Sequence, residues 1–219
     1  MLKVTLNLRK VVAIAICLAG ITMFSSCSKN DNSGENPIDS DPVHQDNGVV
    51  INGIKWATRN VASPGTFATK PEDVGMFYQW NSKVAWPSTG NVAGWDSIMP
   101  VGSAWGTEND PSPAGWRPPT SVEIQALVDS TKVSNAWVAE NGINGRRFTD
   151  KASGNTLFLP AAGFRYYADG VLYGIAAGYY WSRTGYGNYA TYGLYFSPDT
   201  AAFAALYRPS GFSLRCVSQ

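Results

Sequence analysis

The chain is poor in the residues that most protein chemistry uses. It has one histidine among 219 residues, and that one, His44, lies in a polar stretch ahead of the first strand-like segment. A domain without histidine offers no imidazole for a catalytic triad, a proton shuttle or a mixed metal site. Cysteine is nearly as scarce: Cys17, Cys27 and Cys216 are the full set. They form no cluster with zinc-ligand spacing. No glycine-rich phosphate or dinucleotide loop follows a strand-like segment, and no long internal repeat is present. Charged residues make up only 15% of the chain, the net charge is +1, and there is no basic stripe, which argues against a nucleic-acid partner. Long apolar runs are missing too. The longest, Val11 to Phe24, has about 14 residues, too few to cross about 30 Å of hydrocarbon as a helix.

That short run is informative in its setting. Lys3, Arg9 and Lys10 precede it and Ser25-Ser26-Cys27 follows it. A positive start, an apolar middle and small residues at the end make a signal peptide. The cysteine after small residues resembles a bacterial lipobox, with Phe24 where leucine is usual. It implies removal of 1–26, lipid attachment at Cys27 and an outer-membrane, surface-exposed protein held to the membrane through that lipid. The first 26 residues carry three cations and no anion, so the remainder sits at −2. Cys216 is then left without a cysteine partner. It alternates with Phe212 and Leu214 and reads as a small buried apolar residue. Residues 28–48 set Asp31, Glu35, Asp39, Asp41 and Asp46 against Lys29, and have too little apolar surface to offset ordering entropy. They read as a disordered tether, so that 27–48 links the lipid to a single domain over 49–219.

The domain reads as β-rich with long loops. Val49–Ile51 and Ile54–Trp56 flank Asn52-Gly53, a tight-turn signal. Further strands are expected at Val74–Trp80, Leu157–Leu159, Tyr189–Phe196, Ala201–Arg208 and Phe212–Val217, the last three forming a meander. Residues 82–113, rich in Gly, Pro, Ser and Asn, read as a long ordered loop region stapled by Trp86, Trp95 and Trp105. One helix is clear. Thr120 and Glu123 have the capping-box spacing, Pro118 and Pro119 block an earlier start, and Ile124, Leu127 and Val128 share a face up to about Thr131. A helical turn is expected at 135–140 and a loop at 141–145.

Six segments in order carry a family resemblance: WATRNV (56–61), PEDVGMFYQWN (71–81), PAGWRPPTSVE (113–123), FLPAAGFR (158–165), GYYWSRT (178–184) and GFSLRCV (211–217). Together they resemble the Fibrobacter succinogenes major paralogous domain, common in lipoproteins of Bacteroidetes and Fibrobacter. The resemblance spans nearly all of 50–218. It implies a C-type-lectin-like α+β fold: a twisted antiparallel sheet, one helix at about 120–131, long loops and a C-terminal β-meander. It also implies a cysteine just before the PAGWR segment, pairing with the one in RCV. Here that position is Ser112, so the disulfide is absent and closure is expected to rest on packing.

No metal, cofactor or catalytic set emerges, and the domain is expected not to be an enzyme. The second cysteine of formylglycine-generating enzymes and the calcium-binding segments of sugar-binding lectins are missing. Glu108-Asn109-Asp110 offers clustered oxygens that suit calcium or, more simply, a solvated acidic turn. Glu72 and Asp73 offer carboxylates that fit turn capping better than glycosidase chemistry. Ten of the eleven tyrosines lie from Tyr166 onward, and tyrosine presents a rigid apolar face with a polar rim, the surface a sugar ring packs on. The candidate ligand-binding residues are Tyr166, Tyr167, Arg183, Tyr186 and Tyr189. Arg117, Arg165 and Arg215 read instead as structural donors to loop carbonyls or buried carboxylates, and Trp116 and Trp181 as core. The expected partner is a glycan or surface glycoprotein, with an envelope protein in a structural or adhesive assembly as the alternative.

Overall fold

The computed structural model describes residues 45–219. The expected signal peptide, Cys27, His44 and most of the expected tether lie outside the described residues. Two Asn-Gly turns organise the N-terminal half. Strand β1 (Val49–Ile51) and β2 (Ile54–Asn60) flank Asn52-Gly53, with φ of +48° and +77°. After β3 (Phe77–Tyr78), β4 (Ala85–Trp86), β5 (Trp116–Arg117) and helix α1 (Ser121–Leu127), the second such hairpin joins β6 (Val133–Glu140) to β7 (Ile143–Asp150). Its turn, Asn141-Gly142, has φ of +48° and +82°. A type I′ hairpin turn needs positive φ at both central residues, which asparagine and glycine tolerate best. The chain continues through β8 (Thr156–Pro160), β9 (Phe164–Arg165), β10 (Leu172–Tyr173), β11 (Gly178–Tyr186), β12 (Ala190–Phe196), β13 (Ala201–Tyr207), β14 (Phe212–Ser213) and β15 (Arg215–Ser218).

The main sheet has the order β13-β12-β11-β14-β3-β4, with β11 and β14 the parallel pair. A four-stranded sheet, β1-β2-β15-β5, a three-stranded sheet, β6-β7-β8, and the β9–β10 pair complete the domain. Strands make up 43% of the structure and helix 6%. The expected α+β, C-type-lectin-like class is therefore corrected to a mostly β architecture. The residues expected to form a helical turn at 135–140 extend as β6, in unbroken register with β7 from Val133↔Asp150 to Glu140↔Ile143. The helix stops at Leu127 rather than about 131, and Asp129 turns the chain by accepting from the Thr131 N–H at 2.9 Å and hydroxyl at 2.7 Å. Its start follows the capping box: Thr120 Oγ1 accepts from Glu123 N, and Glu123 Oε2 accepts from Thr120 N at 2.7 Å. Burial pushes the Glu123 carboxyl up, but the Arg117 guanidinium, donating to both its oxygens, and the Thr120 bonds hold it below the usual range.

The tyrosine-rich strand β12 packs on both faces. Leu194 and Phe196 join Tyr180, Ile124, Leu127 and Phe148 in one core cluster. On the other face Thr191 is fully buried, and Leu206 and Trp181 join Tyr78, Trp80 and Trp105 in a second cluster. Gly178 is required here because any Cβ would collide with the Phe196 ring.

Buried arginines tie the loops to this frame. Arg165, fully buried, donates to the carbonyls of Pro87, Thr89, Gly90 and Gly170. Arg208 donates to Ala190, Pro100, Gly102 and Gly187, and lies over the Trp80 ring at 4.1 Å. Arg215 donates to Asn60 Oδ1 at 2.8 Å and to the Ala57 carbonyl. Arg165, on loop carbonyls, and Arg117, on the Glu123 carboxylate, match the structural reading; Arg215 bonds strand β2 instead of a loop carbonyl or carboxylate.

The N-terminal boundary differs from expectation in one residue of consequence. Asp46, read as part of a solvated tether, is only 6% exposed. Its carboxylate accepts from the N–H groups of Gly48, Thr58 and Arg59, from the Thr58 hydroxyl and from Arg59 Nε. Removing one partner of a buried hydrogen-bonded charge pair typically costs about 3–5 kcal/mol. A chain starting at Val49 is expected to unfold at clearly lower urea than one starting at Gln45, and Asp46→Ala in the longer chain should reproduce most of that loss. Equal urea midpoints for all three would contradict the assignment.

Cys216 and Ser112 are neighbours, with the thiol donating to the hydroxyl at 3.2 Å. Burial pushes the thiol pKa up to about 12. Ser112→Cys is expected to close a disulfide between sites 104 residues apart, raising stability by about 2–4 kcal/mol under oxidising conditions and not under reducing ones. Denaturant midpoints with and without reductant check this.

Candidate functional site

An aromatic groove of about 510 Å³ opens where the β9–β10 hairpin meets the end of β13. The hairpin is a two-residue ladder, Leu172↔Arg165 and Tyr173↔Phe164. Its loop is pinned by Tyr166 N donating to Val171 O, Gly170 N to Tyr166 O, and Val171 N to Asp169 Oδ1. Arg165 Nη1 holds the Gly170 carbonyl at 2.6 Å, and Trp95 Nε1 donates to the Tyr167 carbonyl at 2.9 Å. Gly170 has φ +71°, and a Cβ there would sit 2.7 Å from Trp95 and Val92. The loop that presents the tyrosines is therefore fixed by the long 82–113 region from behind.

The rings form a connected network. Tyr166 and Tyr167 lie 4.4 Å apart between centroids, and Tyr167 meets Tyr207 edge-on at 4.9 Å. Behind them Tyr179 stacks on Phe212 at 5.2 Å and meets Phe164 edge-on at 4.9 Å. Tyr167 is 37% exposed and Tyr207 40%, so hydroxyl-bearing rings stand at the rim over an apolar floor. Besides the tyrosine hydroxyls the lining offers the Ser210 hydroxyl and no charged side chain. The Tyr166 hydroxyl is kept neutral to higher pH by its hydrogen bond with Tyr167, and burial does the same for Tyr179. The groove thus presents hydroxyls and ring faces and no charged side chain.

The structure divides the sequence candidates. Tyr166 and Tyr167 line this groove; Arg183, Tyr186 and Tyr189 do not. Arg183 is half-buried, and its guanidinium donates to the Trp105 carbonyl at 3.4 Å. Tyr186 is 52% exposed and belongs to a separate ring series, 4.7 Å from Tyr192, which stacks on Phe203 at 4.7 Å. Tyr189 is 67% exposed in the β11–β12 turn, where its carbonyl accepts from Arg208 N. Sequence reasoning missed Phe164, Tyr179, Tyr207, Ser210 and Phe212. One local signal was available: Ala168-Asp169-Gly170 is a turn sequence that would have placed a hairpin at Tyr166.

Three of the acidic candidates have structural partners, and Glu108 is exposed. Glu72 is buried and accepts from Asn141 Nδ2 at 2.8 Å, and Asp73 accepts from Lys70 N at 2.9 Å. Asp110 accepts from Ser112 N at 2.8 Å. Among the described residues, no three histidine, cysteine, aspartate or glutamate side chains cluster as metal ligands would. None of the helices among them is long and apolar enough to cross a membrane.

Residues 126–217 are similar to a family whose model is described as a domain of unknown function, DUF8237. Every residue that lines the groove falls inside that span. No curated protein and no solved structure matches the chain.

Proposed function

We propose that the domain is a non-catalytic ligand-binding module of a lipid-anchored, surface-exposed outer-membrane protein, and that its ligand is a polysaccharide or the glycan of a glycoprotein. The observation that carries this is the groove at Tyr166, Tyr167 and Tyr207, with exposed tyrosines over an apolar floor and no charge in its lining. A sugar ring has apolar C–H faces and a hydroxyl edge, which aromatic faces and phenol hydroxyls complement. An uncharged lining favours neutral glycans over uronic or sulfated ones, whose charge would go unpaired. The lipobox resemblance at Cys27 supports the anchor. A second reading, a structural or adhesive part of a surface assembly, gains support from the bare sheet edge at Ala201–Tyr207.

Titration of residues 45–219 with a panel of neutral and acidic polysaccharides tests the reading. Tryptophan fluorescence is a suitable readout, because half-buried Trp95 is bonded to the Tyr167 carbonyl. Saturable binding of a neutral glycan is expected, insensitive to chelator. Tyr167→Ala and Tyr207→Ala should each weaken it about fivefold, the equivalent of about 1 kcal/mol for one aromatic contact. Tyr186→Ala should leave it unchanged. Absence of binding across the panel, or binding that ignores both groove substitutions, overturns the proposal.

A further inference from the structure

The main sheet ends in a strand with no protection. β13 pairs with β12 without interruption over seven residues, from Ala201↔Phe196 to Tyr207↔Ala190. Among the described residues no strand lies on its other side. A sheet edge presents a row of unpaired N–H and C=O groups, and natural edges are usually blunted by charge, proline, bulges or brevity. Most other sheet ends here follow that rule: β1, β4 and β5 have three residues or fewer, and β8 contains Pro160. β6 is as long as β13 and also continuous, but it carries the polar Ser134 and Asn135 and ends on Glu140, bonded to Arg147. β13, with sequence AAFAALY, has no charge, no proline, no glycine and no register break.

We propose that β13 is a self-association edge, on which two copies of this chain pair their Ala201–Tyr207 strands antiparallel about a two-fold axis through Ala204. The side-chain sequence favours a second copy over an unrelated strand. In that register Phe203 lies opposite Ala205 of the second copy, Leu206 opposite Ala202, Tyr207 opposite Ala201, and Ala204 opposite itself. Every bulky residue thus meets an alanine. A two-fold axis also sets any charge on the axis opposite its own copy, and an uncharged strand avoids that like-charge clash. Phe203, stacked on Tyr192 at 4.7 Å, is already held within its own sheet and need not reorder. Pairing would join two six-stranded sheets into one and satisfy the open backbone groups of both edges. β13 also lends Ala205, Leu206 and Tyr207 to the groove lining, but the pairing does not depend on which ligand the groove takes.

Sedimentation equilibrium of residues 45–219 over a range of concentrations tests it. A reversible monomer–dimer equilibrium is expected. Ala205 is exposed, so Ala205→Lys should leave the thermal unfolding curve of the dilute, monomeric chain in place while weakening dimerisation about tenfold, because symmetry counts each substitution twice. Register is tested separately by oxidation. Ala204→Cys should cross-link two copies through a disulfide, whereas Ala202→Cys, displaced along the strand from its own copy, should not. A monomer at all concentrations overturns the proposal. So does a dimer indifferent to Ala205→Lys, or equal cross-linking at 202 and 204.

Discussion

Guanidinium-to-carbonyl hydrogen bonding is what allows so much of this protein to be loop. Between β4 and β5 the chain has only the short 3-10 turn at Thr107–Asn109, yet it packs against the main sheet. Loop backbone taken out of water needs partners that a ladder would otherwise supply. Arg165 and Arg208 supply them, each spreading its donors over carbonyls from separate loops. A hydrogen bond to a charged group contributes about 1.5–3 kcal/mol, so one such clamp rivals the about 2–5 kcal/mol of a native disulfide. Burying the charge offsets part of this, and burial lowers the pKa of both arginines. Five donors in a fixed planar fork suit scattered carbonyls in a way a lysine could not match.

What could be read from the sequence was whatever local chemistry decides. The capping box at Thr120 and the Asn52-Gly53 turn rest on neighbouring residues and stand as read. The same Asn-Gly signal at Asn141-Gly142 was available but was outweighed by Ala136, Ala139 and Glu140, good helix formers in a stretch that alternates with period two. Tertiary pairing with β7 settled that competition. The expected strand at Val74–Trp80 shrank to Phe77–Tyr78 because Gly75 turns at φ +70° and Trp80 leaves the ladder to bond Ser182 and Arg208.

The groove was half legible for a similar reason. Tyr166 and Tyr167 are adjacent in sequence and stay adjacent in space. Tyr207 arrives from the far end of another strand, and Phe212 from the one after it, so no local pattern announces them. Asp46 shows the opposite failure. Its surroundings in sequence are those of a solvated tail, but three backbone N–H groups and Arg59 converge on its carboxylate. Composition says what a segment can bury, and does not say which single carboxylate an N–H cluster will capture. A strand with tyrosines on both faces does not announce from its sequence which face is core. The long loops cover one of those faces here, which is why tyrosine-rich strands can be interior.

Ser112 beside Cys216 has a consequence for how this domain closes. The family resemblance places a covalent bond at that point, and a bond of that kind has to be made by an oxidant at the right time. Here a hydroxyl and a buried, un-ionised thiol fill the same space. Closure at this point therefore needs no oxidative step.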